Sequence, residues 1–387
     1  MALNNPLMLY VHIPYCVHKC HYCDFNSHVR GEIDWDGYQQ ALLAELLHWS
    51  KQPQFTGREL QSIFFGGGTP SLAPEGLIKG VIDEAKGLFN FSDGIEISLE
   101  ANPGTVDQSR FAGFKQAGVN RLSIGVQSLD DVELKWLERI HSGEQAVTAL
   151  KAGRAAGFEN INLDLIYGLP DQSIEKWMKS LNRVIELKPE HLSCYQLTVE
   201  PHTKLAVEID KVADKLPDDE LALEFLYQTR ERLAEAGYKA YEVSNFSRPS
   251  FKCRHNDGYW LYRDYIGIGA GASGKFDLEN GGVTRYSNIR NPEKYIESAL
   301  KGGRAINSDE KLPKETAEAE SLWQGLRRTD GISNAWFTER FGADIQTRFG
   351  SELKPWLAQQ KLIWEGEHLH LTVKGLPFVD SIAEELF

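Results

Sequence analysis

"YVHIPYCVHKCHYC", residues 10–23, decides the reading of this chain. Its opening, with Leu9, is a short β-rich run, LYVHI over 9–13, which predicts a strand. Its second half places Cys16, Cys20 and Cys23 at x3 and x2 spacing, in a chain of 387 residues that holds five cysteines. Three soft thiolates on a loop that leaves a strand suit an iron–sulfur cluster or zinc. A closed zinc site needs a fourth ligand, and His12, His18, His21 and His28 are the candidates. The triplet alone leaves both metals open. The remaining thiols, Cys194 and Cys253, are far apart, and an odd total does not read as a disulfide framework, so a reducing, cytoplasmic location is expected.

Working outward, hydrophobic residues at 42%, charged residues at 25% and aromatics at 11% describe a globular chain with a sizeable core, long enough for one large unit plus a smaller one. The net charge of -13 opposes nucleic-acid binding by counterion release, so no nucleic-acid partner is expected. No apolar run reaches the ~18 residues of a membrane span. The N-terminal stretch has no basic n-region and does not read as a secretory signal.

Short β-rich runs alternate with helical patterns. Strands are predicted at Leu9 to Ile13, Ser62 to Phe65, Ile95 to Leu99, Arg121 to Ile124, Ile161 to Ile166 and Leu192 to Leu197. Between the first two, Tyr38, Ala41, Leu42, Leu46 and Trp49 form one apolar helical face. Thr105 with Gln108, and Asp130 with Glu133, have the spacing of capping boxes. Strand–helix repetition implies right-handed crossovers and a parallel sheet. The regularity ends after Pro201: a helix over Asp218 to Ala236 leads into an aromatic, glycine-rich region, Tyr238 to Tyr286, without a clean period. The divisions expected are a core over 1–240, a connecting region over 241–300, and a small α+β unit over 301–387 that includes a strand in LHLTVKG.

Polar residues recur at predicted strand ends. FFGGGTPS carries Gly66, Gly67, Gly68 and Thr69, where absent β-carbons let backbone approach a ligand; no Lys-Ser or Lys-Thr comes after it, so it is not a phosphate loop. SLEANPGT offers Glu100 and Asn102 at a strand's C-terminal end, where open α/β folds place ligands. SIGVQS places Gln127 after the fourth strand, LERIHSG contributes Arg139, and LDLIYGLP places Asp164 after the fifth. Singly, such residues are turn formers and caps; recurring at successive strand ends, they point to a site. Gly269, Gly271 and Gly274 spell a dinucleotide fingerprint, but KFDLENGG, directly after Gly274, is a poor helix, and a close-packed turn is expected instead.

With YVHIPYC, GGGTPS and the triplet together, the chain resembles the radical S-adenosylmethionine superfamily. The resemblance implies a partial (βα)6 barrel, with Cys16, Cys20 and Cys23 ligating three irons of a [4Fe-4S] cluster. It leaves the fourth iron to the amino and carboxylate groups of S-adenosylmethionine, whose reductive cleavage yields a deoxyadenosyl radical. It also implies cosubstrate contacts from Tyr10, the run Gly66 to Thr69, Glu100, Gln127, Arg139 and Asp164, with Arg139 at the carboxylate and Asp164 at the ribose.

GVQS and DLIYGLP extend the likeness to the oxygen-independent coproporphyrinogen III oxidase group, including a small, winged-helix-like C-terminal domain. Those oxidases carry a further cysteine where this chain has Phe25, and a long extension where only fifteen residues precede Cys16. Both departures resemble the HemW-type heme chaperones, and HNDGYW, residues 255–260, resembles that branch's H-N-x-x-Y-W signature. The branch implies heme as cargo, with His255 as iron ligand or vinyl attachment point and Tyr259 and Trp260 as flat apolar surface. It implies heme-recipient apoproteins, respiratory ones among them, and an electron donor, and leaves room for peripheral membrane contact. On composition alone the same histidine reads as a satisfied residue in a polar turn beside two core aromatics. Heme chaperone, coproporphyrinogen oxidase and RNA-directed radical enzyme are the competing functions, the acidic charge disfavouring the last.

Overall fold

The computed structural model describes residues 6–387. Residues 1–5, the start of the stretch read as lacking a secretory signal, lie outside the described part. The core is built on six parallel strands in sequential order: β1 (Leu7–Ile13), β2 (Glu59–Gly67), β3 (Asn90–Ala101), β4 (Arg121–Gln127), β5 (Ile161–Tyr167) and β6 (His191–Gln196). The helices α1 (Trp35–Ser50), α2 (Glu75–Leu88), α3 (Gln108–Ala117), α4 (Asp131–Trp136), α5 (Gly143–Ala155) and α6 (Ile174–Glu186) fill the crossovers, and α7 (Asp219–Glu235) comes after β6. This is the partial (βα)6 barrel. The helix-covered face of each strand is apolar, as in Leu7, Leu9, Val11 and Ile13 of β1, all 0% exposed, while the barrel interior carries polar groups such as Glu100, Arg121, Ser123, Asn162 and Asp164.

Neither expected capping box forms. Asp107, not Thr105, caps α3, accepting from the Arg110 amide; Thr105 closes a 3-10 turn opened by Asn102 and Pro103. Asp130 caps α4 as expected, but Glu133 turns away from the cap to Ser128 and Gln172. A complete capping box sits instead at Ser142 and Gln145 of α5.

The stretch 241–300, expected as a connecting region, is built into the main sheet. Beyond β6 the sheet gains β7 (Lys239–Ala240) and β8 (Asn245–Ser247). Then comes α8 (Arg254–Trp260), and the chain returns to the opposite edge as β9 (Tyr265–Ile268), parallel to β1. The strands β10 (Ser273–Asp277), β11 (Val283–Asn288) and β12 (Ile306–Leu312) continue antiparallel, with α9 (Pro292–Gly302) between the last two, giving twelve strands. The glycine pattern at 269–274 is the β9–β10 hairpin: a β-carbon on Gly269 would stand 2.4 Å from the His12 carbonyl oxygen, and one on Gly271 2.4 Å from Asn26.

The C-terminal unit has its own apolar core, with α10 (Lys314–Leu326), α11 (Asn334–Phe341) and α12 (Ile345–Ala358) around a three-stranded antiparallel sheet of β13 (Ile332–Ser333), β14 (Leu362–Glu365) and β15 (His368–Leu371). The expected LHLTVKG strand stops at Leu371. A buried ionic cluster ties this unit to the sheet. Lys275 Nζ reaches Asp277 Oδ1 at 2.7 Å and Asp264 Oδ1 at 3.3 Å, Arg58 reaches Asp264 at 2.7 Å, and Arg340 of α11 reaches Asp277 Oδ1 at 2.7 Å. Among the described residues no helix is long and apolar enough to cross a membrane.

Candidate cofactor site at the strand ends

The cysteine loop leaves β1 at Ile13 and is closed by a two-residue parallel pairing, Tyr15–Cys16 with His28–Val29, so residues 16–28 form a compact excursion. The glycine run fits against it. The Gly68 amide donates to the Ile13 carbonyl at 2.8 Å, and a β-carbon there would stand 2.7 Å from the Tyr15 carbonyl oxygen. Gly67 has φ +116 and would press a β-carbon to 2.6 Å from the His12 ring. Part of what the triple glycine is for is therefore close passage of the cysteine loop.

Between loop and strand ends lies a cavity of ≈ 350 Å³. Cys16, Cys20, Cys23, Gly67, Gly68, Thr69, Glu100, Asn102, Gln127, Arg139 and Asp164 all line it. Gly66, Tyr10, His255, Tyr259 and Trp260 do not. Cys16 Sγ lies 3.3 Å from Thr69 Oγ1, and Cys20 Sγ accepts from Arg139 Nη1 at 3.7 Å. Burial pushes the Cys16 and Cys23 thiols up, and a cation in the cavity reverses that balance by favouring thiolate. Among the described residues no three His, Cys, Asp or Glu side chains are arranged to hold a single ion. Of the four histidines weighed for zinc, only His18 lines the cavity, and it pairs with Glu138 at 3.5 Å. The ring of His12 is taken by Tyr10 and Asn26, and His28 reaches Arg290.

The polar residues come from different strands. Glu100 Oε2 accepts from the Gly67 amide at 3.1 Å, and burial, then the Asp164 charge, push its carboxyl up to about 8. Asp164 lies within β5 rather than after it, because that strand runs on to Tyr167. It accepts from Ser123 Oγ at 3.1 Å and Asn162 Nδ2 at 2.8 Å, and burial raises its pKa as well. Gln127 ends β4 with φ 64 at a register irregularity, a kink that turns its side chain to the cavity. Arg139 donates to the Gly125 carbonyl at 2.8 Å, while its buried Nε has no partner. An orphaned guanidinium donor, two buried carboxyls and three thiols fit a zwitterionic, ribose-bearing cosubstrate on an iron–sulfur cluster.

Deeper in the barrel is a second cavity of ≈ 130 Å³, lined by Tyr10, Glu100, Arg121, Asp164, Cys253, His255 and Tyr259 among others. Here His255 is 2% exposed, with Nδ1 on Ser62 Oγ at 2.8 Å and Nε2 on the Tyr259 hydroxyl at 3.0 Å. Its ring stacks on Phe64, and burial, then the charge of Arg121, press its pKa down to about 3. It is a neutral, satisfied imidazole, not a ring open to solvent. Trp260 lies on neither cavity; Arg327 covers its ring at 5.0 Å. The sequence reading missed Arg121, 2% exposed with an unpartnered Nε; a charge opening an apolar strand was the available signal.

The radical SAM superfamily profile matches residues 10–184, and that of the HemN C-terminal domain matches residues 312–378. Heme chaperone HemW of Escherichia coli K12 is 38% identical over 385 residues, covering 99% of both chains. Heme chaperone HemW of Haemophilus influenzae is 37% identical over 384 residues, covering 98% of this chain and 97% of that one. The chain belongs to the HemW family of radical SAM proteins. Among solved structures, coproporphyrinogen III oxidase (HemN) from Escherichia coli superposes with a TM-score of 0.83 at 25% identity, over 99% of this chain and 90% of that one.

Proposed function

We propose that this chain is a heme chaperone that binds heme and passes it to apoproteins in the cytoplasm. The observation that carries the reading is the end-to-end likeness to heme chaperone HemW of Escherichia coli, which covers 99% of both chains. Cys16, Cys20 and Cys23 hold a [4Fe-4S] cluster, and the same cavity takes S-adenosylmethionine. Arg139 receives the cosubstrate carboxylate on its free Nε, Glu100 and Asp164 take the ribose and methionine side, and Gly67 and Gly68 give backbone access. When reduced, the cluster supplies one electron to the bound sulfonium. The HNDGYW helix α8 handles heme, with His255 as its ligand once the Tyr259 hydroxyl withdraws from Nε2. Heme-accepting apoproteins and an electron donor are the partners.

The structural likeness to HemN favours a second reading, an oxidase that decarboxylates coproporphyrinogen III. Phe25 speaks against it, standing 60% exposed where the oxidases carry a further cysteine. One reconstituted preparation tests both: heme binding and delivery to an apoprotein are expected, and CO2 release from coproporphyrinogen III is not. Robust decarboxylation overturns the chaperone reading.

A further inference from the structure

The four strands β9 to β12 carry a cavity that the cluster and cosubstrate do not use. It measures ≈ 460 Å³, within the range of ligand sites. Register explains it. Tyr10 of β1 pairs with Gly267; Ser273 pairs with Ser287, and Ser287 with Ser308. Of this row Ser273 and Ser287 line the cavity, so short side chains leave the sheet face low there and offer a smooth floor.

Aromatic groups bound this floor on the barrel side: Tyr10, Tyr259 and Tyr265 line it, with the last two rings edge-on at 4.8 Å between centroids. Across from them the cluster loop contributes Asp24, Phe25 and Asn26 directly after Cys23, and Asp24 and Phe25 line the cluster cavity too. The two cavities adjoin across the loop. Tyr259 also links this cavity to the inner one, where its hydroxyl holds His255.

Arg290 stands exposed at the mouth. Its one hydrogen bond from the guanidinium is from Nε to Asn26 Oδ1 at 3.4 Å, and its Nη donors have no partner among the described residues. Nearby Arg30, by contrast, is paired with Glu293 at 2.8 Å. A smooth floor, edge and face contacts from tyrosines, and a free planar cation at the rim suit a flat ring system carrying carboxylates.

We propose that this cavity is the cargo seat: heme lies against Tyr10, Tyr259 and Tyr265, Phe25 covers its edge, and Arg290 anchors a propionate. The ligand identity rests on the chaperone reading above; the location rests on the cavity. Exposed Arg290, Phe25 and Asn307 leave the seat open on one side, which suits release to a recipient.

The test is heme titration, monitored by visible absorption, on the cluster-reconstituted full chain. Arg290→Glu is expected to weaken heme at least about ten-fold, the loss of a charge-assisted hydrogen bond, while cluster iron and S-adenosylmethionine affinity stay unchanged. Heme dimethyl ester, which has no propionate charge, is expected to bind wild type and Arg290→Glu equally. Ser287→Trp, which fills the floor, is expected to block both ligands with the thermal midpoint retained. Wild-type heme binding that neither substitution alters overturns the seat and leaves the chaperone reading intact. Absence of heme binding by the wild type overturns both.

Discussion

The Tyr259 hydroxyl lies 3.0 Å from His255 Nε2 and occupies the last nitrogen of a ring whose Nδ1 is already held by Ser62. Under the proposed heme role, ligation by His255 has to displace the Tyr259 hydroxyl. Tyr259→Phe removes the competitor at a cost of about 1 kcal/mol, one hydrogen bond, and is expected to increase the histidine-ligated fraction in the heme spectrum. His255→Ala is expected to abolish that spectral signature, and to destabilise the fold by about 1–3 kcal/mol in urea denaturation, because two buried hydroxyls lose their partner. An unchanged heme spectrum in His255→Ala removes the imidazole from the iron.

The thiols give a clean division. Cys16→Ser, Cys20→Ser and Cys23→Ser are each expected to lose the cluster on anaerobic purification, since all three line one cavity without a spare. Cys194 and Cys253 are buried elsewhere, 2% and 3% exposed, and their serine variants are expected to keep full iron and sulfide. Equal iron in all five variants, or zinc as the native metal, would refute the cluster assignment.

The histidine and the thiols sit in parts of the chain that were unequally legible. The six barrel strands were readable because their helix-covered face is an apolar series at every second position, as in Leu7, Leu9, Val11 and Ile13 or Ile161, Leu163 and Leu165, and the cysteine spacing was readable because it sits at the end of one. Strands β10 to β12 read SGKFD, VTRYSN and INSDEKL: polar, mixed, and in the last case a largely exposed charged edge, which carries no strand period. Missing them turned 241–300 into an expected connector, although Phe276, Tyr286 and Tyr295 belong to the main core. Likewise His255 and Tyr259 were visible as a motif, but not the Ser62 contact that satisfies the ring across 193 residues. Arg290 looked like any surface arginine; only the register of four strands makes a cavity beside it.

At the cosubstrate, Asp164→Ala is expected to weaken S-adenosylmethionine binding by about 1–3 kcal/mol, roughly 5- to 150-fold in Kd, by isothermal titration calorimetry. Arg139→Ala is expected to cost at least as much, because its charged Nε is held ready without a protein partner. Unchanged affinity across Glu100, Gln127, Arg139 and Asp164 alanine variants would place the cosubstrate elsewhere.

Lys275 holds two carboxylates, Asp264 and Asp277, that are 1% and 4% exposed at the side chain. Removing its ammonium leaves two buried acids with only Arg58 and Arg340 to answer them. Lys275→Met is expected to destabilise the chain by about 3–5 kcal/mol, and to loosen α11 first, since Arg340 reaches the same cluster. Proteolysis confined to residues beyond 312, ahead of global unfolding, is the expected readout. Uniform loss of stability would show that the cluster does not govern the joint.

Glu100 supplies a pH test whose sign is set by its environment. Burial and Asp164 raise its carboxyl from 4.5 to about 8, so between those values the folded chain holds a proton that the unfolded chain has released. The burden on stability is absent below about pH 4.5, grows as pH rises, and levels off above about 8. Glu100→Gln keeps the shape and removes the titration. In cluster-free, cosubstrate-free protein its thermal midpoint is therefore expected to exceed that of the wild type, by more at about pH 8.5 than at about pH 5.5. Binding of a cationic cosubstrate favours the ionised form, so the wild type is expected to release protons on S-adenosylmethionine binding near neutral pH, seen as a buffer-dependent heat that Glu100→Gln lacks. A variant whose midpoint tracks the wild type in parallel across that range would show that Glu100 is already ionised and balanced, and that the cavity does not hold the proton there.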